Sequence, residues 1–262
     1  MIPKADITEW RDHSKWKSDT QVEQDLILSR ILVILFDNPF ISQTLVFRGG
    51  TALHKLFLTP PVRYSEDIDF VQKETEGIGE TMGTIRKILN PLLGKPKTKQ
   101  KKGGVIFIYK VNSEIPPVAP LRIKIEINTR EHFSVYDIIE KKFNVKSRWF
   151  SGECNIATFS LEELLATKLR ALYQRSKGRD LFDLWYGLEY GKANESKIIP
   201  AFKKYMDFSD SKITAQLFRE NLEEKLKNPL FLNDTTPILH PDFEYSQKTA
   251  YECVISRIIN NI

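Results

Sequence analysis

Cysteine is nearly absent from this chain, with only Cys154 and Cys253 in 262 residues. Two isolated thiols are too few for a disulfide framework or a cysteine zinc site, and they fit a reducing, cytoplasmic setting. Histidine is also sparse: His13, His54, His132 and His240 show no metal-ligand spacing. Long apolar runs are missing. The longest, Ile27 to Phe36, is broken by Ser29 and Arg30 and is too short for a bilayer crossing, so it is read as a buried helix and no membrane partner is expected. No signal sequence, internal repeat or low-complexity tract is visible. Charge of one sign does not dominate either, since 39 Lys and Arg face 34 Asp and Glu for a net +5. So mild an excess is compatible with nucleic acid without selecting it.

What is present is concentrated in two short segments, FRGGTALHKLF (Phe47 to Phe57) and RYSEDIDF (Arg63 to Phe70). Gly49 and Gly50 let the backbone turn sharply and approach a ligand, and the sequence after them is good helix former. A helix N-terminus with free N–H groups is an anion site. Asp67-Ile68-Asp69 reads as strand, so the two carboxylates project from one face while Ile68 and Phe70 point into a core. Like charges held that close raise one another's pKa unless a cation lies between them, and hard oxygen ligands suit Mg²⁺. An isolated pair of this kind is usually a polar strand end facing water. A glycine-cradled phosphate beside a carboxylate-held metal is what attack on a nucleoside triphosphate requires.

A third acid has an independent candidate. In LRIKIEIN (Leu121 to Asn128) apolar and polar residues alternate, and Glu126 lies on the polar face with Arg122, Lys124 and Asn128. Its competing reading is a solvent-facing side chain. Further along, Ser160 and Glu163 have the spacing of a capping box and open a helix. Lys168 falls inside that helix's stripe of Leu161, Leu164, Leu165 and Leu172, where a lysine needs an anion unless it snorkels outward; Arg170, Arg175 and Lys177 look exposed. A second helix carries Asp180 in its first turn, well placed against the helix dipole, and Asp183 one turn later.

The glycine pair followed by the paired aspartates resembles the DNA polymerase β-like nucleotidyltransferase superfamily. The fuller wording, GGTAL with RYSEDID, then Lys168, then Arg179-Asp180 with Asp183, is similar to the AbiEii/AbiGii toxin family and covers roughly residues 25 to 188. The resemblance implies Mg²⁺-assisted transfer of a nucleotide from a nucleoside triphosphate, with room for two metals. Asp67, Asp69 and Glu126 would hold the metal, Glu126 alternatively serving as general base. Gly49, Gly50, Thr51 and Ser65 would contact phosphates; Lys168 would neutralise the triphosphate; Asp180 would hold that lysine or help activate the acceptor. It further implies a toxin whose acceptor is RNA, such as a tRNA 3′ end, and an antitoxin encoded nearby. Two alternatives stand beside it: a nucleotidyltransferase acting on a small hydroxylated molecule, and a non-catalytic nucleic-acid-binding module on the same fold.

The order of elements predicts an α+β fold. A polymerase β-like core with a mixed sheet flanked by helices, residues 1–155, precedes a helical bundle, residues 156–262. Within the core, Val105 to Val111 is expected to pair antiparallel with LRIKIEIN. The basic run KPKTKQKKGG (Lys95 to Gly104) before it is expected to be a hairpin loop. Its lysines read equally as a mobile arm that grips nucleic-acid phosphates or as a solvated hairpin tip.

Overall fold

The computed structural model describes residues 2–262 and opens with helices α1 (Lys4–Trp10) and α2 (Asp19–Phe36). Helix α2 starts at Ser18 because that side chain accepts from the Gln21 N–H while the Gln21 side chain answers the Ser18 N–H, a complete capping box. A short helix α3 (Pro39–Thr44) leads to β1 (Leu45–Arg48), which runs directly into α4 (Gly49–Leu56). Then come β2 (Asp67–Gln72), α5 (Gly79–Leu93), β3 (Lys97–Lys101), β4 (Gly104–Asn112), β5 (Pro120–Asn128), β6 (Ile139–Lys146) and β7 (Ser151–Thr158). The seven strands make one sheet in the order β3-β4-β5-β2-β1-β7-β6. It is mixed: β2 runs antiparallel to β1 and parallel to β5, while β4 and β5 are antiparallel as their patterns predict.

Alternation along the strands divides the sheet into a dry face and a polar face. Phe47, Phe70, Phe107, Ile123, Ile125 and Ile127 are all buried. Helices α2 and α5 cover this side, with the Phe36 ring 5.9 Å from that of Phe70. Asp67, Asp69 and Glu126 therefore emerge on the opposite face. Helix α2 explains the apolar run: Ser29 within it is fully buried because its hydroxyl donates to the Asp25 carbonyl at 2.7 Å. Among the described residues no helix is long and apolar enough to cross a membrane.

After β7 the chain is helical, with α6 (Leu161–Gln174), α7 (Gly178–Glu189), α8 (Glu195–Phe208), α9 (Ala215–Lys225), α10 (Pro229–Leu232) and α11 (Gln247–Arg257). The α+β architecture is as expected, with three local corrections. The basic run is an edge strand, β3, closed by a two-residue turn, because Thr98 on its covered face meets Arg86 of α5 and its ladder to β4 satisfies the backbone. Strands β6 and β7, not foreseen, pair as a hairpin on the far edge. The Ser160–Glu163 box is half made. Ser160 accepts from the Glu163 N–H, but the buried Glu163 carboxylate turns instead to the N–H groups of Val135 and Tyr136 and the Tyr205 hydroxyl.

A buried ionic cluster ties the sheet to the helices. Asp183 of α7 accepts two bonds from Arg63, at 2.8 and 2.9 Å, and one from His54 Nε2 at 2.9 Å, and Lys168 Nζ lies 2.7 Å away. All four side chains are shielded from water. Burial alone would raise the Asp183 pKa, but Arg63 and Lys168 hold it well below the carboxylate range. His54 is pushed down to about 4 by burial and by the adjacent Arg63. It is thus neutral, donating from Nε2, with Nδ1 buried and unpartnered among the described residues. Because the folded pKa lies below the ordinary 6.5, the unfolded chain takes up this proton first as the medium is acidified. The contribution is complete above about pH 6.5, disappears as pH falls toward 4, and amounts to about 3 kcal/mol over the full shift. Urea denaturation of the wild type and His54→Gln across that window checks this: the wild type loses more stability on acidification, and equal losses refute the neutral assignment.

Candidate active site

The polar face of the sheet assembles the three acids. Parallel pairing sets Asp69 opposite Glu126 and Asp67 opposite Lys124. The Lys124 ammonium bridges Asp67 Oδ2 at 3.0 Å and Glu126 Oε2 at 3.1 Å, and Lys101 Nζ reaches Glu126 Oε1 at 3.0 Å. For Glu126 burial works toward a higher pKa, but the bonds from Lys101 and Lys124 outweigh it and the pKa falls. Asp69 is different: burial first, and the neighbouring Asp67 second, raise its pKa. No side chain among the described residues bonds it. Lys124 and Lys101 are site residues that the motifs did not assign, although Lys124 shares the face of Glu126 by simple alternation.

Both glycines are dictated by close approach. Gly49 has φ +81°, and a Cβ there would lie 2.4 Å from Asp69 Oδ2. At Gly50 a Cβ would lie 2.6 Å from Arg63 Nη2, 3.2 Å from Ser65 Oγ and 3.4 Å from Lys168 Nζ. The first turn of α4 has no capping side chain, which leaves its N–H groups open toward the cleft. Thr51 does not share that exposure. It is buried, and its hydroxyl bonds the Asp67 carbonyl and the Ser65 hydroxyl, so it staples the glycine turn to β2 rather than offering a hydroxyl to a phosphate. Ser65 lines the cleft.

From the helical side, Lys168 Nζ bonds Asp180 Oδ1 at 3.1 Å as well as Asp183, so its amine is turned inward and not to solvent. Asp180 is fully buried and does not line the cleft; it accepts two bonds from Arg175, at 2.7 and 2.8 Å, and one from Lys168. Both of its carboxylate oxygens are thus engaged, by Lys168 and Arg175, as expected for a residue that holds that lysine. Arg170, which looks exposed in the sequence, is buried: its guanidinium meets Glu131 at 2.7 Å, and Arg48 meets the other Glu131 oxygen at 2.7 Å. Burial opposes the effect, but Arg170 and Arg48 bring the Glu131 pKa down to about 2. Arg179 is held on Asp234 by paired bonds of 2.9 and 3.0 Å. His132 is fixed between the Gln72 and Thr129 carbonyls and has no place in the cleft.

The resulting cleft has a volume of about 610 Å³ and is lined by eight cationic side chains and four carboxylates. A triphosphate suits that balance. The donor set fits a hard divalent cation at Asp67 and Asp69, since Mg²⁺ commonly takes one or two carboxylates and completes its shell with water and substrate phosphates. Among the described residues no three acids, histidines or cysteines converge as a ready-made metal cage, and the Glu126 oxygens, expected as metal ligands, are bonded by Lys101 and Lys124.

Replacing Gly50 with Ala places a methyl against a guanidinium that Asp183 already locks. The overpacking is expected to cost about 1–3 kcal/mol. Gly49→Ala adds a left-handed backbone to a collision with Asp69, for a similar loss. Thermal denaturation of both variants tests this, and melting temperatures equal to wild type would show that the turn is not constrained as described.

The chain is similar to known proteins in sequence pattern and in fold. The family model described as nucleotidyl transferase AbiEii toxin, type IV TA system, matches residues 30–251. No curated protein is matched by sequence. Among solved structures the chain is similar to MenT4, a nucleotidyltransferase toxin of Mycobacterium tuberculosis H37Rv, at 15% identity and TM-score 0.58, over 98% of this chain and 90% of that one. It is also similar to a putative nucleotidyltransferase from Helicobacter pylori, at 21% identity and TM-score 0.55 over 93% and 96% of the two chains. JHP933 from Helicobacter pylori gives 18%, 0.53, 94% and 93%. At such identities these likenesses establish the shared α+β fold, whereas the family match spans most of the sequence. The chain belongs to the AbiEii nucleotidyl transferase toxin family of type IV toxin–antitoxin systems, and is a nucleotidyltransferase.

Proposed function

We propose that the chain uses Mg²⁺ to transfer the nucleoside monophosphate of a nucleoside triphosphate to a hydroxyl of an RNA acceptor, such as a tRNA 3′ end. The observation that carries this reading is the meeting of Asp67, Asp69 and Glu126 on one sheet face directly beside the uncapped N-terminus of α4. Asp67 and Asp69 would hold the metal, which would supply positive charge to the triphosphate and the α-phosphorus. The N–H groups at Gly49 and Gly50, with the Ser65 hydroxyl, receive the phosphates. Lys168 and Arg63 add positive charge from behind Gly50. The acceptor oxygen forms a bond to the α-phosphorus, the bond from that phosphorus to the bridging oxygen breaks, pyrophosphate leaves with the electron pair, and the hydroxyl proton passes to solvent or to Glu126. The two lysines that lower the Glu126 pKa favour its electrostatic role over that of base.

The toxin–antitoxin family supports a cognate antitoxin encoded nearby and a cytoplasmic site of action. The change from sheet to helix supports a division into a catalytic core and a helical bundle, but with the boundary after Thr158, because the expected boundary at residue 155 falls inside β7 (Ser151–Thr158). Incubation with each α-labelled nucleoside triphosphate, Mg²⁺ and total RNA, followed by gel separation, tests the reading. Label entering RNA is the expected result; label confined to small molecules, or none transferred, overturns it.

Asp69→Ala and Asp67→Ala are each expected to lower transfer by about a hundredfold or more, as loss of several kcal/mol of metal-mediated stabilisation implies. The pair differs in metal-free stability. Removing the unpartnered Asp69 relieves repulsion, so its melting temperature holds or rises, while Asp67→Ala gives up only a partly exposed contact to Lys124. Normal turnover in either variant sinks the metal assignment.

Lys168→Met keeps the stem but takes one cation from a cluster in which three cations share two carboxylates. Nucleotide use is expected to fall tenfold or more, and stability by about 3 kcal/mol. Single-turnover kinetics well below the melting temperature separates the two effects; wild-type rates there would refute the role of Lys168.

A further inference from the structure

A second cavity, of about 420 Å³, opens on the other side of Glu126 and shares Glu126 and Asn128 with the first. Its walls are Lys101, Lys102 and Arg130 around the β3–β4 turn, and Phe208 at the end of α8. We propose that this cavity is the acceptor site, built for the hydroxyl-bearing end of a single-stranded nucleic acid. The inference rests on the nucleotidyl-transfer reading for the placement of the triphosphate in the first cleft.

Sheet order supplies the first argument. β2, which carries Asp67 and Asp69, lies between β1 and β5. The phosphate cradle of α4 continues from β1, so the leaving pyrophosphate occupies the β1 side. Attacking and leaving oxygens stand roughly in line across the phosphorus. The acceptor hydroxyl therefore arrives from the β5 side, where the second cavity meets Glu126.

The second argument is chemical. The two carboxylates in this cavity are already neutralised: Glu126 lies on Lys101 and Lys124, and Glu131 on Arg48 and Arg170. Lys102 and Arg130 form no ion pair among the described residues and are free for phosphates. Arg130 is laid across the turn, since a Cβ at Gly103, with φ +85°, would lie 2.1 Å from its Cδ. Phe208 is 45% exposed, yet its ring is backed by Phe133 at 5.0 Å, which holds it as a platform. Cations beside an exposed, buttressed ring are the recognition elements for unpaired bases on a phosphate backbone.

The register extends the surface outward. Lys99 and Lys97 of β3 lie across β4 from Glu126 and Lys124 respectively, with Ile106 and Ile108 between them. Alternation thus puts Lys97, Lys99 and Lys101 on the face of the catalytic acids, a track of about 13 Å leading to the cavity.

The test measures binding rather than transfer, with the full chain and a fluorescein-labelled 12-nucleotide single-stranded RNA. Anisotropy is read at several salt concentrations for wild type, Phe208→Ala and the double variant Lys102→Ser with Arg130→Ser. Calorimetry of a non-hydrolysable nucleoside triphosphate with Mg²⁺ runs in parallel. Both variants are expected to bind the RNA about tenfold more weakly with unchanged nucleotide affinity, and the double variant to lower the salt slope by about 1.4, or 0.7 for each lost phosphate contact on a single strand. Overturning results are unchanged RNA affinity in either variant, equal losses of RNA and nucleotide binding, or no RNA binding by wild type, as a small hydroxylated acceptor would give. Wild-type protein that binds the RNA in this pattern but never labels it contradicts the transfer reading, and with it the acceptor role, while the cavity still stands as the binding site for single-stranded RNA.

Discussion

The arrangement depends on the Asp183 carboxylate, enclosed between Arg63, Lys168 and His54. An unpaired carboxylate in that position would cost several kcal/mol in desolvation, so the site is stable only with its partners in place. Each partner comes from a different segment: His54 from α4, Arg63 from the loop before β2, Lys168 from α6. Meeting at one carboxylate fixes these three relative to α7. It also sets Arg63 against Gly50, which is why that position has no room for a side chain.

Charge in the cluster does not balance. With Arg175 and Asp180 included, Arg63, Lys168 and Arg175 share only two carboxylates, and His54 is neutral. The excess of one positive charge sits just behind the glycine turn, where an anion would complete the balance. The β5 side has the reverse problem. Asp69 has no partner among the described residues and its pKa is raised, while Lys124 and Lys101 occupy Asp67 and Glu126. A cation between the acids, with an anion beyond it, would satisfy both imbalances together.

Legibility in the sequence followed locality. DIDF and LRIKIEIN declare their faces by alternation, and those faces are paired in register, so the period of the two strands is enough to gather the three acids. Lys168 could be placed inward because four leucines around it fix the helix rotation. Arg63 could not be assigned: its partner is 120 residues away, and nothing within RYSEDID distinguishes a buried arginine from a surface one. The same holds for Arg170 and Glu131, whose pairing depends on how α6 lies over the sheet. Glu163 misled because its spacing from Ser160 is correct for a capping box, yet the N–H groups of Val135 and Tyr136 compete for the same carboxylate. Strand β6 is hidden because Lys141 interrupts the apolar alternation of Ile139, Phe143 and Val145, and β7 because its opening, Ser151 to Glu153, has no apolar side chain.

The basic edge shows how strand geometry changes the meaning of composition. As a free loop, five lysines would sample many orientations and their charge would be spread through solvent. Paired to β4, alternate lysines are committed to one face, the one that carries Asp67, Asp69 and Glu126. Lys101 is thereby close enough to bond Glu126, and the remaining lysines extend the same row away from it. An edge strand rich in lysine also resists pairing with another sheet. Packing sets which face the lysines take: the side of β3 that carries Thr98 is turned to Arg86 of α5, so Lys97, Lys99 and Lys101 occupy the open side. The two-residue period that brings the acids together places them on that same open side.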